Sequence, residues 1–130
     1  MLQLPSIKEA PTSQPHVFAF HITGEVTRTD MEAMADYMND QFDRFETVNM
    51  LMIFDDYEGS EAGAGFSWEA LKSRIRSVSK VGKYVVVGAP EPAEKMIEVM
   101  GAILPVDAQT FSRDNEHIAW REVGAERTAA

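Results

Sequence analysis

Short runs rich in valine and aromatic residues alternate with helix-period apolar stripes along almost the whole chain. This alternation restricts the fold more than any other feature. Val17 to Thr23 has strand character and meets Gly24. Thr27 to Asp30 then offers capping groups, with Glu32 in the first turn, where its charge suits the helix dipole. A helix is expected from there to about Phe45, because Met31, Met34, Ala35, Met38, Phe42 and Phe45 fall on one stripe, with Asp36, Asp40 and Asp43 opposite. Asn49 to Asp55 is a second strand, followed by a polar, glycine-rich loop through Gly65. Trp68, Leu71, Ile75 and Val78 mark a second helix, and Lys83 to Gly88 a valine-rich third strand. Pro90-Glu91-Pro92 opens a third helix with Ala93, Met96, Ile97 and Met100 on one face. Ala108 to Phe111 is a short strand, and Ser112 or Asp114 is placed to cap a last helix containing Ile118 and Trp120. Strands separated by helices cannot pair as tight hairpins and need crossovers, which implies a largely parallel sheet.

Leu2 to Ile7 is placed to pair antiparallel with Val17 to Thr23 at an edge, whereas Lys8 to Pro15, rich in Pro, Ser and Thr, has the composition of a turn or loop. The expectation is an α/β fold: one domain with a mixed, mostly parallel sheet of four to five strands and about four helices. It spans residues 1–123, with a flexible tail over 124–130. At 130 residues the chain is long enough for one real core and too short for two.

Composition removes several function classes. There is no cysteine, which excludes disulfides, thiol catalysis and thiolate metal sites and suits a cytoplasmic location. The formal net charge is −9, so a general nucleic-acid binder is not expected. The opening Met1-Leu2-Gln3-Leu4-Pro5 lacks the basic and apolar regions of a signal peptide, and no apolar run approaches a membrane span.

Candidate chemistry is sparse. His16, His21 and His117 show no helical metal-ligand spacing, and His16 and His21, five apart, would face opposite sides of a strand. They read as surface or satisfied histidines, and neither a metal nor a cofactor is expected. Gly63-Ala64-Gly65 does not match GxGxxG, Ser67 has no activating neighbour in sequence, and no Gly-x-Ser-x-Gly elbow is present. No enzyme activity is expected.

The segment Asp55-Asp56-Tyr57-Glu58-Gly59-Ser60-Glu61 is more suggestive, because it follows a buried strand and ligands of open α/β sheets collect at the carboxyl ends of strands. Its plainer alternative is a solvated turn whose carboxylates hold backbone amides. Charge along the chain is uneven: 25–69 carries 12 acids and 2 bases, whereas 70–90 carries 5 bases and no acid. Lys72, Arg76 and Lys80 form a row on the second helix beside its apolar stripe. Such a helix can dock on an acidic partner or, peripherally, on an anionic membrane; otherwise it is a solvated face above core. Asp55, Asp56, Gly59, Ser60, Trp68, Lys72 and Arg76 are therefore the candidate binding residues. The helical methionines fit core faces and would also suit a cavity for an apolar ligand.

The order of these elements and several phrases resemble the bacterial SpoIIAA-like family, which groups with STAS-type domains. The phrases are Gly24-Glu25-Val26-Thr27 through Met31, Asp56-Tyr57-Glu58-Gly59, Ala64 through Lys72 with Trp68-Glu69-Ala70-Leu71-Lys72, Val85-Val86-Val87-Gly88, Phe111 and Ala119-Trp120. The resemblance spans about Leu2 to Glu122 and implies a four- or five-stranded mixed sheet, similar to anti-sigma-factor antagonists and to lipid-carrying CRAL-TRIO domains. The Asp-Ser-Ser/Thr-Gly phosphoacceptor phrase of those antagonists is absent, since Asp55-Asp56-Tyr57-Glu58-Gly59-Ser60 stands in its place. That role does not transfer. The expected function is a non-enzymatic binding or regulatory module with a protein partner or a second copy of itself. The alternative is a carrier of a small apolar or lipid ligand with the Trp68 helix as lid.

Overall fold

Five strands hydrogen-bond side by side in the order in which they occur along the chain. They are β1 (Ile7–Ala10), β2 (Val17–Val26), β3 (Val48–Ser60), β4 (Val81–Val87) and β5 (Asp107–Phe111). β1 runs antiparallel to β2, and the β2–β3, β3–β4 and β4–β5 pairs are all parallel. The computed structural model describes residues 2–60, 80–88 and 107–128. Within them lie two α-helices, α1 (Arg28–Phe42) and α2 (Glu116–Val123), with a 3-10 turn at Arg113–Asn115 before α2. The mixed, mostly parallel α/β architecture is the expected one. The helices expected around Trp68 and after Pro90 lie outside the described residues.

The pleat sends alternate residues of the central strands to two separate cores. Phe18, Phe20 and Ile22 of β2, with Met50, Met52 and Phe54 of β3, meet the expected stripe of α1: Met31, Met34, Ala35, Met38 and Phe42. Asp36, Asp40 and Asp43 are exposed. On the other face Ala19, Leu51, Ile53, Val85 and Val87 meet Ala119, Trp120 and Val123 of α2. Being buried on both faces, Met50 to Phe54 of β3 and Tyr84 to Val87 of β4 read as continuous apolar runs, as strands in the middle of a parallel sheet must.

Helix α1 begins where its capping groups place it. Thr27 is the N-cap, and its side chain accepts from the Asp30 amide at 3.1 Å. The Asp30 carboxylate is buried and accepts from the Ser6 hydroxyl at 2.6 Å and the Ser6 amide at 3.1 Å, tying the segment before β1 to the helix start. The helix stops at Phe42 rather than Phe45, where the Arg44 and Phe45 amides both turn back to the Gln41 carbonyl. Phe45 nevertheless packs against the core, its ring centroid 6.2 Å from that of Phe18.

Four boundaries differ from expectation for identifiable reasons. The edge strand is Ile7–Ala10 rather than Leu2–Ile7: the chain bends at Pro5–Ser6, the Leu4 amide donates to Ile7, and Leu2 pairs back on Glu9. Lys8, Glu9 and Ala10 are therefore strand, not loop. Gly24 does not end β2 but carries it through a register irregularity at φ 64°, a left-handed conformation that glycine adopts freely. β3 correspondingly continues from Asp55 to Ser60, with Tyr57, Gly59 and Ser60 paired to Gly24, Glu25 and Val26. The expected glycine-rich loop thus begins as strand, because the extended end of β2 gives those backbone groups partners.

The last helix closes at Gly124, φ 86°, whose amide donates to the Arg121 carbonyl. Neither Ser112 nor Asp114 caps α2: Ser112 precedes the 3-10 turn without a side-chain cap bond, and Asn115 stands at the helix start, also without one. Beyond Gly124, Ser13 and Glu126 bond reciprocally and the Thr128 amide donates to Pro11. Asn49 joins three elements, its Nδ2 donating to the Val123 carbonyl at 3.0 Å and its Oδ1 accepting from the Lys83 amide.

Candidate functional site

Residues from four consecutive segments meet above the parallel sheet on the α2 face. His21 lies in β2 on the same pleat as Ala19, and Asp55 lies in β3 two residues beyond Ile53, the register partner of His21. The β-period thus presents both side chains to one side, and the right-handed twist between neighbouring strands supports a diagonal contact. His21 Nδ1 hydrogen-bonds Asp55 Oδ2. Asp55 Oδ1 accepts from Arg113 Nη2 at 3.2 Å, so the carboxylate is shared between a ring and a guanidinium. The His21 and Asp55 side chains are 20% and 27% exposed, whereas Arg113 is 60% exposed.

The reach of Arg113 depends on Gly88, which ends the run of β4 at φ 70° while its amide donates to the Phe111 carbonyl at 2.9 Å. A Cβ on Gly88 would stand 2.7 Å from Arg113 Cγ and 3.2 Å from both Arg113 Cδ and the Phe54 carbonyl oxygen. The guanidinium stem therefore crosses the strand end where there is no side chain. Local folding explains the rest: the 3-10 turn begins directly after β5 and Ser112, and its first residue is Arg113.

Asp55 is the one candidate binding residue whose side-chain surroundings are described, and it lies in this cluster. Asp56, Gly59 and Ser60 are placed in β3 by their backbone. Trp68, Lys72 and Arg76 lie outside the described residues, and with them the proposed lid. His21 was expected to be a satisfied or surface histidine; its Nδ1 is satisfied, but its Nε2 is buried without a hydrogen-bond partner. Arg113 and Gly88 carry no sequence signal for this site. Their spacing from Asp55 becomes meaningful only once β3, β4 and β5 are known to be neighbours.

Among the described residues no group of three or more His, Asp or Glu side chains is placed to hold a metal ion. Away from this cluster, a concavity of about 590 Å³ lies near the amino end of β2 between Gln14, His117, Trp120 and Arg121. Its walls mix apolar and polar groups, and Trp120 Nε1 is already committed to Glu116 at 3.3 Å. Among the described residues no helix is long and apolar enough to cross a membrane.

Comparison with known proteins agrees with this architecture. No curated protein matches the chain. Among solved structures, it is similar to an uncharacterised protein of the DUF3478 family with a SpoIIAA-like fold from Shewanella loihica PV-4. The TM-score is 0.63 at 17% identity, covering 92% of this chain and 97% of that chain. The SpoIIAA-like family itself matches residues 17–121, from the first residue of β2 into α2. The chain belongs to the SpoIIAA-like family.

Proposed function

We propose that the chain is a non-enzymatic binding or regulatory module of residues 1–123, working in the cytoplasm on a protein partner or a second copy of itself. Its docking surface is the carboxyl end of β3, with Asp55, Asp56, Gly59 and Ser60, continued by Trp68, Lys72 and Arg76. The observation that carries this reading is Asp55, a partly exposed carboxylate in the carboxyl-terminal half of a parallel strand, two residues past its last pairing with β4, held in one orientation by His21 and Arg113. Fixed polar groups at that end of an open α/β sheet are where such folds present their contacts. The juxtaposition of an acidic stretch with a basic one along the chain adds long-range complementarity to a partner of mixed charge.

Affinity capture from host lysate tests the surface. The wild-type chain should retain specific partners that are lost both by Lys72→Glu/Arg76→Glu and by Asp55→Ala/Asp56→Ala, with the association weakening as salt rises. Retention of every specific partner by both variants, each confirmed as folded, rejects the surface.

A further inference from the structure

The concavity beside α2 is built by three segments that are tied to one another. The helix contributes Trp120 and Arg121, the turn before β2 contributes Ser13 and Gln14, and the chain after the helix contributes Ala125 and Glu126. The last two segments are stitched together. The Ser13 amide donates to the Glu126 carbonyl at 2.9 Å, the Glu126 amide donates to Ser13 Oγ at 2.8 Å, and the Thr128 amide donates to the Pro11 carbonyl at 3.2 Å. On the other side of the turn, the Thr12 hydroxyl donates to the Gln14 carbonyl at 2.7 Å. A volume of about 590 Å³ is that of a small-molecule site, and walls fixed in this way reduce the ordering cost of filling it.

The groups on these walls define the occupant. The main chain is already spent: the Glu126 amide and carbonyl on Ser13, and the Gly124 and Ala125 amides on carbonyls of α2. The Trp120 indole N–H is spent on Glu116. The charged side chains are not. Among the described residues neither Arg121 nor Glu126 enters an ion pair, with each other or with any other group. One guanidinium and one carboxylate therefore face the cavity beside the apolar surfaces of Trp120 and Ala125.

Four classes of occupant meet these walls differently. An anion meets Glu126 and the −9 net charge of the chain, and a cation meets Arg121. A neutral apolar body takes water from both charges and gives neither a partner, which is costly. A molecule carrying both a carboxylate and an ammonium pairs with both walls, and its zero net charge frees it from the field of the whole chain. The guanidinium fork suits the carboxylate, which it takes by two parallel N–H bonds, and an apolar side chain on the occupant covers the Trp120 ring.

We propose that this cavity binds a small zwitterion with an apolar side chain, the chemistry of a free α-amino acid. Arg121 holds the carboxylate, Glu126 holds the ammonium, and Trp120 packs against the side chain. None of these residues belongs to the docking surface, so the inference does not rest on it.

The test titrates the ¹⁵N-labelled full chain at about pH 6.5, where α-amino groups are protonated, and follows the Ser13, Gly124 and Glu126 amides and the Trp120 indole by NMR. L-phenylalanine and L-leucine are the zwitterionic probes. Their N-acetyl forms keep only the carboxylate, their amides keep only the ammonium, and 3-phenylpropanamide carries neither charge. The expected result is saturable shifts with at least one of the two amino acids, and at least about tenfold weaker apparent affinity for its singly charged derivatives and for 3-phenylpropanamide. Arg121→Gln should abolish the preference for the amino acid over its amide, and Glu126→Gln the preference over its N-acetyl form. Both side chains are exposed, so both variants should fold. No saturable response, a preference below tenfold, tighter binding of a singly charged or neutral probe, or preferences unchanged in the variants overturns the proposal. Should a variant unfold, the comparison of derivatives on the wild-type chain remains decisive. Amino-acid binding without partner capture would sink the docking surface alone, and capture without amino-acid binding would sink this site alone.

Discussion

Replacing Gly88 by alanine separates two costs that the structure places at one residue. The first is backbone strain: at φ 70° a side chain is in the left-handed region, which costs roughly 1–2 kcal/mol for a residue with a Cβ. The second is the collision with the Arg113 stem at 2.7 Å. A long exposed side chain escapes such a collision by swinging away, so the second cost is the lost Asp55 contact and packing. For a pair this exposed that is at most about 1 kcal/mol. Gly88→Ala should therefore destabilise the chain by about 1–3 kcal/mol. In an Arg113→Ala background, where Cγ and Cδ are gone, it should cost only about 1–2 kcal/mol, because the strain and the 3.2 Å approach to the Phe54 carbonyl persist. Urea unfolding of the four proteins, at constant m-value, measures the difference as a double-mutant cycle. An equal loss in both backgrounds would refute the claim that the missing side chain at 88 makes room for Arg113. No loss in either would refute the strained backbone as well.

Three further outcomes follow from the core and its caps. Met38→Ala, at a fully buried position between α1 and the sheet, should cost about 2–5 kcal/mol in urea unfolding, against little for the exposed Asp40→Ala on the same helix. Thr27→Ala removes the acceptor for the Asp30 amide and should cost about 1 kcal/mol, whereas Thr27→Asn should recover most of it. Burial pushes the Tyr84 phenol well above the ordinary tyrosine range, and burial together with the hydrogen bond to Glu9 does the same for Tyr37. The unfolded chain then loses these protons first as pH rises past about 10, so stability should fall through that region. Alkaline titration of phenolate absorbance should show both tyrosines ionising only with unfolding; reversible ionisation of Tyr84 in the native state, with stability unchanged, would contradict its burial.

Much of the fold was legible because its strongest signals are periodic and redundant. The α1 stripe from Met31 to Phe42 and the alternation of β3 between two cores each repeat the same information several times, and burial rewards every repeat. Boundaries were less legible where a partner strand, not the local sequence, decides. Asp55 to Ser60 has the composition of a turn, yet its backbone groups are paired by the extra residues of β2 beyond Gly24, and Lys8 to Ala10 is strand because β2 lies alongside. Ser112 and Asp114 have cap chemistry, but the chain spends that position on a 3-10 turn that aims Arg113 across Gly88.

The cluster around Asp55 was half legible for the same reason. Asp55 stands out from sequence alone, as a carboxylate closing an apolar run. His21, Gly88 and Arg113 do not, since each is ordinary among its own neighbours: a histidine in a strand, a glycine after valines, an arginine in a turn. What brings them together is the order of the sheet. β2 lies on one side of β3, β4 on the other, and β5 beyond β4, so each neighbouring element delivers one group. His21 comes from β2, Asp55 from β3, the gap at Gly88 from β4, and Arg113 from the turn after β5. A sheet with β4 and β5 exchanged would preserve every local pattern in this sequence. It would also separate Arg113 from the strand end that it crosses, so strand order, rather than any motif, is what the assembly of this cluster depends on.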